Sequence, residues 1–181
     1  MKPLLLHARL VDSDEIRRTL DEVFDQALVF HGFADYMRDY DLFIYATADP
    51  RTGVAPEHLR YRFTHCVRAT VTTTVRRDVW PRSLTDEFID YGVWERADEP
   101  DGFVWGVKWH GLYPGMTLLP ESEETREWSE HLGREFHEVL IDTNAHSINL
   151  VFSDLRVGHV AAGEAPFVVP PSGPDGKVPL D

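Results

Sequence analysis

Leu59-Arg60-Tyr61-Arg62-Phe63-Thr64-His65-Cys66-Val67-Arg68-Ala69-Thr70-Val71-Thr72-Thr73-Thr74-Val75 is the stretch that decides the fold class. Leu59, Tyr61, Phe63, His65, Val67, Ala69, Val71 and Val75 take the odd positions, while arginines, threonines and Cys66 fill the even ones. A two-residue period puts alternate side chains on opposite faces, which is the pattern of a half-buried antiparallel strand. The run exceeds the usual strand of about 5–6 residues. A bulge or bend is therefore expected to divide it, at His65-Cys66. The odd residues are expected to face the core, and Arg60, Arg62 and Arg68 to be markedly more exposed.

On the N-terminal side, Ile16, Leu20, Val23, Phe24, Ala27 and Leu28 follow the spacing of one helical face. This predicts a helix over 12–30, capped by Asp12 or Ser13, with Glu15 at capping-box spacing from Asp12. A short β-type run follows at 42–47 and ends at the turn residues Asp49-Pro50-Arg51-Thr52-Gly53. On the C-terminal side, 83–95 fits helix or strand equally, and 103–110 reads as a strand. A short helix is expected over 122–132, with Gly133 at its C-terminal cap. Two strands, 136–143 and 147–157, are joined by Asn144-Ala145-His146. From residue 158 onward prolines and glycines accumulate, and the end, from about Pro170, reads as a disordered tail. The expectation is a single α+β domain over 1–157 with a 158–181 extension. A twisted antiparallel β-sheet or sandwich packs against an N-terminal helix, with a second short helix.

Composition narrows the function classes. The 181 residues carry a formal net charge of −13 and one cysteine. One cysteine cannot close an internal disulfide, so a reducing, cytoplasmic setting is expected. No apolar run approaches the ~18 residues of a membrane span, and no signal peptide is read at the N-terminus. The acidic balance argues against a nucleic-acid partner, which would require a basic face. The charge is also segmented: about +5 over 51–82, −6 over 83–101 and −6 over 119–142. Two readings follow. The patches fold onto one another, or an acidic face meets a basic partner.

Several of these stretches carry a resemblance. His31-Gly32-Phe33-Ala34-Asp35-Tyr36-Met37-Arg38-Asp39-Tyr40, Tyr61-Arg62-Phe63-Thr64-His65-Cys66 and Val104-Trp105-Gly106-Val107 recur with Thr143-Asn144-Ala145-His146 and Leu150-Val151-Phe152-Ser153-Asp154-Leu155. Together they resemble the YxiG-like family of bacterial proteins, over roughly 15–157. The resemblance implies a bacterial, cytosolic protein and carries no catalytic or ligand assignment. More loosely, the helix-then-strands layout is similar to that of immunity proteins encoded beside secreted toxins.

The side chains offer few routes to chemistry. HExxH and CxxC spacings are absent, as are a phosphate-binding glycine loop and a nucleophile elbow. For a metal, His137 and His146 with Asp142 or Asp154 are the nearest set, yet the two histidines lie too far apart along the hairpin to share an ion. No cofactor or metal is expected. His65 and Cys66 are adjacent, so in a regular strand they point to opposite faces unless a bulge reorients them. Asp35, Asp39 and Asp41 cluster beside Arg38, either as a water-activating group or as an acid–arginine network. Asp154 reads as a partly buried acid in a strand. Among the aromatics Trp94, Trp105, Trp109, Tyr113 and Trp128, any exposed beside acids would anchor a protein partner. The expectation is a non-enzymatic cytosolic binding protein, of the immunity type, docking a basic partner such as a toxin through Glu123, Glu124 and Glu127. The alternative is a small hydrolase built on the Asp/His groups.

Overall fold

The computed structural model describes residues 8–10, 12–34, 38–46, 57–73, 88–90, 103–105, 110–143, 146–161 and 164. Strand β1 (Ala8–Leu10) leads into helix α1 (Ser13–Asp21), then β2 (Ala27–Ala34), β3 (Asp39–Ala46), β4 (Glu57–Thr64) and β5 (Arg68–Thr73). Short strands β6 (Phe88–Asp90), β7 (Phe103–Trp105) and β8 (His110–Gly111) come next, followed by β9 (Gly115–Leu118) and helix α2 (Glu123–Leu132). The chain then forms β10 (His137–Asp142), β11 (His146–Phe152) and β12 (Asp154–His159). A six-stranded sheet has the order β1-β12-β4-β3-β2-β8, and a four-stranded sheet the order β5-β11-β10-β9. The pair β6-β7 is parallel and separate from both. The α+β expectation holds.

The deciding stretch serves both sheets. β4 pairs with β12 in the larger sheet, while β5 pairs with β11 in the smaller one. Thr64 faces Asp154 and Arg68 faces Val151, so one strand has one more residue than its partner across the bend. That extra residue is a bulge, which kinks a ribbon and lets it turn from sheet to sheet. His65 sits there with φ +50°. The division predicted at His65-Cys66 is therefore where the ribbon bends. The opposite ribbon breaks in the same place, at Ser153, which splits the single strand expected over 147–157 into β11 and β12.

The core lies between the sheets. Leu42, Ile44, Tyr61, Phe63 and Leu155 come from the larger sheet, and Val139, Ile141, Ile148, Leu150 and Phe152 from the smaller. Phe63 and Phe152 meet edge to face across the layer, centroids 4.8 Å apart. In β4 the predicted alternation holds as far as Phe63, with Tyr61 and Phe63 buried, and ends at Thr64, an even position that is buried at the bend. In β5 it fails, because Val71 on this edge strand is 42 % exposed. Arg62 and Arg68 also depart from expectation. Their side chains are only 19 % and 33 % exposed, because both are drawn into ion pairs.

Helix α1 is shorter than its sequence pattern suggests. Asp12 caps it by accepting from the Asp14 and Glu15 N–H groups, and Ile16 and Leu20 face the core. It stops at Asp21, Asp25 takes φ +59°, and Ala27 onward becomes β2. Val23 and Leu28 are buried under either period, so the helical spacing continued past the point where β2 pairs with β3 and β8. A strand that bonds neighbours on both sides outweighs local helical pattern. The Tyr61 hydroxyl donates to the Thr19 carbonyl at 2.9 Å, which ties α1 to β4. Helix α2 forms as expected: Ser122 and Thr125 make a capping box, and Gly133 closes it at φ +61°. Of the segment 83–95, the described residues 88–90 are strand. The tail from about residue 170 lies outside the described residues. β12 runs to His159, and the Val160 N–H donates to the His58 carbonyl beyond it.

Candidate functional site

The bend between the sheets gathers the sequence's most reactive residue types. Its framework is an ion-pair network on β3 and β4. Asp41 and Arg62 are directly opposite in the register, and the guanidinium forks onto the carboxylate at 2.8 and 2.9 Å. Asp39, one pleat along, lies 3.8 Å from Arg62 Nη1 and 3.5 Å from Arg38 Nε. Both carboxylates are buried, at 3 % and 5 % exposure. The acid–arginine network is thus the arrangement the aspartate cluster adopts. It joins strand to strand rather than helix to strand, because α1 has already ended. Asp35 lies outside the described residues.

Asp39 also fixes the bulge. Its Oδ1 accepts the His65 backbone N–H at 3.1 Å, a donor that the kinked ribbon would otherwise strand. The His65 ring faces the opposite ribbon. Nδ1 is hydrogen-bonded to Ser153 Oγ at 3.1 Å, and Arg134 Nη1 lies 2.8 Å from Nδ1 and 3.1 Å from Nε2. Burial, then the Arg134 charge, hold the imidazole below its ordinary pKa, although Asp154 and Asp39 pull the other way. A guanidinium has only donors, so it favours a neutral ring that can accept. Thr64 Oγ1 donates to Asp154 Oδ2 at 3.2 Å, closing the bend from the other side.

His65, Ser153 and Asp154 therefore lie together, but their surroundings do not suit a nucleophile. Ser153 is 2 % exposed and Asp154 4 %, which leaves no approach for a substrate carbonyl at attack distance. Cys66 is buried too. Burial pushes its thiol up to about 12, opposed by a hydrogen bond with Arg68, and its Sγ donates to the Arg68 carbonyl at 3.2 Å. A thiol in that state is a packing group, not a thiolate.

The remaining histidines do not converge. His137 faces Phe152 in the register, six positions of strand from His146, a separation of roughly 20 Å. Among the described residues, no three His, Cys, Asp or Glu side chains gather as a metal site would require. His137, 7 % exposed, forms part of the wall of a cleft of about 130 Å³ between the start of α1 and α2, with Arg17, Thr125, Ser129 and Glu138. Its ring stacks obliquely on Phe152 at 5.7 Å.

The expected docking acids on α2 separate into two kinds. Glu124 is paired with Arg68 at 3.0 Å, and the same guanidinium holds Glu138 at 2.8 Å. Glu138 also accepts from Asn149 at 3.0 Å. Burial works to raise Glu138, but hydrogen bonds from Asn149, Arg68 and Ser122 outweigh it and hold the carboxyl below its ordinary value. Basic and acidic segments thus fold onto each other here. Glu123 and Glu127 point outward, exposed. Of the aromatic candidates, Tyr113 is 52 % exposed and Trp128 half-buried against Phe136. Trp94 and Trp109 lie outside the described residues. Arg134 carries no sequence signal of a role at the bend, and Ser153 stands out only as a member of the stretch 150–155. The alternations Asp39-x-Asp41 and Arg60-x-Arg62 alone do not pair Arg62, because only the register, with Phe43 opposite Arg60, selects Arg62 for Asp41.

Fold and site together define an α+β protein of two packed sheets, sharing a bent ribbon whose polar groups are largely paired with one another. The chain belongs to the YxiG-like protein family, whose model matches residues 12–170. No curated protein matches the chain. No helix among the described residues is long and apolar enough to cross a membrane.

Proposed function

We propose that this chain is a non-enzymatic binding protein of the immunity type, whose partner is a basic protein that it meets through the outer face of α2. The observation that carries the reading is a contrast in how charges are used. The carboxylates of Asp39, Asp41, Glu124 and Glu138 are taken up by arginines of the same chain. Glu123, Glu127 and Glu130 follow one another at helical spacing, all exposed, with no ion pair among the described residues. The helix that carries them is fixed at both ends, by its capping box and by Gly133. A row of charge on a rigid element steers an oppositely charged partner and raises the association rate more than the final affinity. Toxins that cut nucleic acid are natural partners, since an anionic substrate calls for a basic surface. The single cysteine, buried as a thiol, fits a reducing compartment.

The test is co-expression with the product of the neighbouring gene, followed by purified binding kinetics. The parent protein is expected to protect the host. Glu123→Lys with Glu127→Lys should slow association about tenfold at low salt, with the difference closing as salt rises. Protection and association rate both unchanged by the reversal would remove α2 as the docking face. Failure of the parent to bind or protect against any neighbouring product would overturn the immunity reading.

A further inference from the structure

The turn between α1 and β2 is built to present an aromatic ring to solvent. Val23 is buried at 2 % exposure, while Phe24 beside it is 53 % exposed. Asp25 follows at φ +59°, a left-handed conformation that aspartate tolerates better than most residues with a side chain. Backbone hydrogen bonds hold this turn in place. The Asp25 N–H donates to the Leu112 carbonyl and the Leu112 N–H to the Gln26 carbonyl, each at 2.8 Å, and the Phe24 N–H donates to Asp21 at 3.1 Å. Tyr113 stands against Phe24, centroids 5.9 Å apart and planes at 60°. Gly115, at φ +112°, supplies the seat: a Cβ there would lie 3.2 Å from Phe24 Cδ2.

A single exposed hydrophobe needs no explanation. Two aromatic rings fixed in edge-to-face contact on a hydrogen-bonded turn form a preorganised anchor, and such anchors lose little entropy on binding. Their setting specifies the occupant. Asp21, Glu22 and Asp25 flank Phe24 in sequence, all exposed, with no ion pair among the described residues. The electron-rich ring faces and carboxylates favour a cation. A guanidinium stacks on rings and forks onto carboxylates, and it is more weakly hydrated than an ammonium.

We propose that Phe24 and Tyr113, with the exposed Asp21, Glu22 and Asp25 flanking Phe24 along the chain, form a seat for an arginine side chain of a basic partner protein. This rests on the protein-binding reading and adds the place and residue type of contact. The α2 acids would steer the partner, and the aromatic seat would hold it.

Fluorescein-labelled tetra-arginine, tetra-lysine and tetra-glutamate peptides, titrated against the full chain at about 150 mM salt by anisotropy, test the seat. Tetra-arginine is expected to bind more tightly than tetra-lysine. Phe24→Ser and Tyr113→Ser should each weaken it about fivefold. Phe24→Leu, which keeps an apolar contact with Gly115, should narrow the preference for arginine without lowering the melting temperature. Equal binding of arginine and lysine peptides would overturn the seat. So would unchanged binding by both Tyr113→Ser and Phe24→Leu. Glu123→Lys with Glu127→Lys should weaken both cationic peptides alike. If the peptide results hold but no neighbouring gene product is bound, the immunity reading fails and the seat stands. If a neighbouring product is bound equally by parent and Tyr113→Ser protein, the seat fails and the reading stands.

Discussion

Arg62 holds two buried carboxylates at once. It forks onto Asp41 and reaches Asp39, which in turn holds the His65 N–H at the bend. Removing the guanidinium leaves two negative charges in a desolvated site, and the cost is that of breaking a buried pair rather than a surface one. Arg62→Ala is expected to destabilise the fold by about 3 kcal/mol. For a chain of this length that corresponds to a melting temperature lower by about 9 °C. Arg62→Lys should recover only part of the loss, since an ammonium is a point charge and cannot fork. Thermal melts of the two variants at neutral pH decide this. A loss under about 1 kcal/mol for the alanine would mean that the pair is solvated like a surface bridge.

At the scale of elements, the bend at His65 and Ser153 makes two sheets from one long ribbon. Its backbone requirement is specific. At φ +50°, asparagine and glycine are tolerated, and a β-branched residue is strained. His65→Val should therefore cost about 2 kcal/mol. His65→Asn should cost less, because only the ring's contacts are lost. Equal losses in calorimetry would show that the ring, not the backbone, sets the bend. Much of this level was legible in the sequence. The alternation from Leu59 located the strand, its excess length required a break, and His65-Cys66 was the right place for it. The sheet switch was not legible, because a bulge and a corner leave the same mark on a period-two pattern. Helix α1 was overextended for a related reason: Val23 and Leu28 satisfy the helical period and also the buried side of the turn and strand. The ion pairs depend on register, which is set by strands far apart in sequence. Arg68 meets Glu138 across 70 residues, and nothing local to either predicts it.

For the whole molecule, these local arrangements sum to a dependence of stability on pH. His65 has a lowered pKa in the folded state, so between that value and the ordinary 6.5 the unfolded chain binds more protons. Stability is full above 6.5 and is lost as pH falls from there through the folded value. Glu138 is also lowered, from an ordinary 4.5, so its contribution is present above 4.5 and is lost as pH falls through its folded value. Acidification thus removes stability in two successive windows. On the alkaline side, burial and then the Cys66 charge raise Tyr40 to about 12. Its contribution is intact below the ordinary 10 and is lost as pH rises through about 12. A third effect runs the other way on acidification. A chain of net charge −13 with pI near 5.0 sheds self-repulsion as it approaches that pI, and this masks part of the His65 window. Comparing variants separates the two. His65→Asn keeps the global charge at neutral pH and removes the titrating ring. The stability advantage of the parent over His65→Asn is therefore expected to shrink between about pH 8 and about pH 5, while both lose self-repulsion alike. Glu138→Gln should show its deficit only above the carboxylate window, converging with the parent as pH falls below 4.5. Melting temperatures measured at constant ionic strength give both comparisons. A parent–Asn difference that stays flat from about pH 8 to about pH 5 would mean that Arg134 and burial do not hold the ring neutral in the fold.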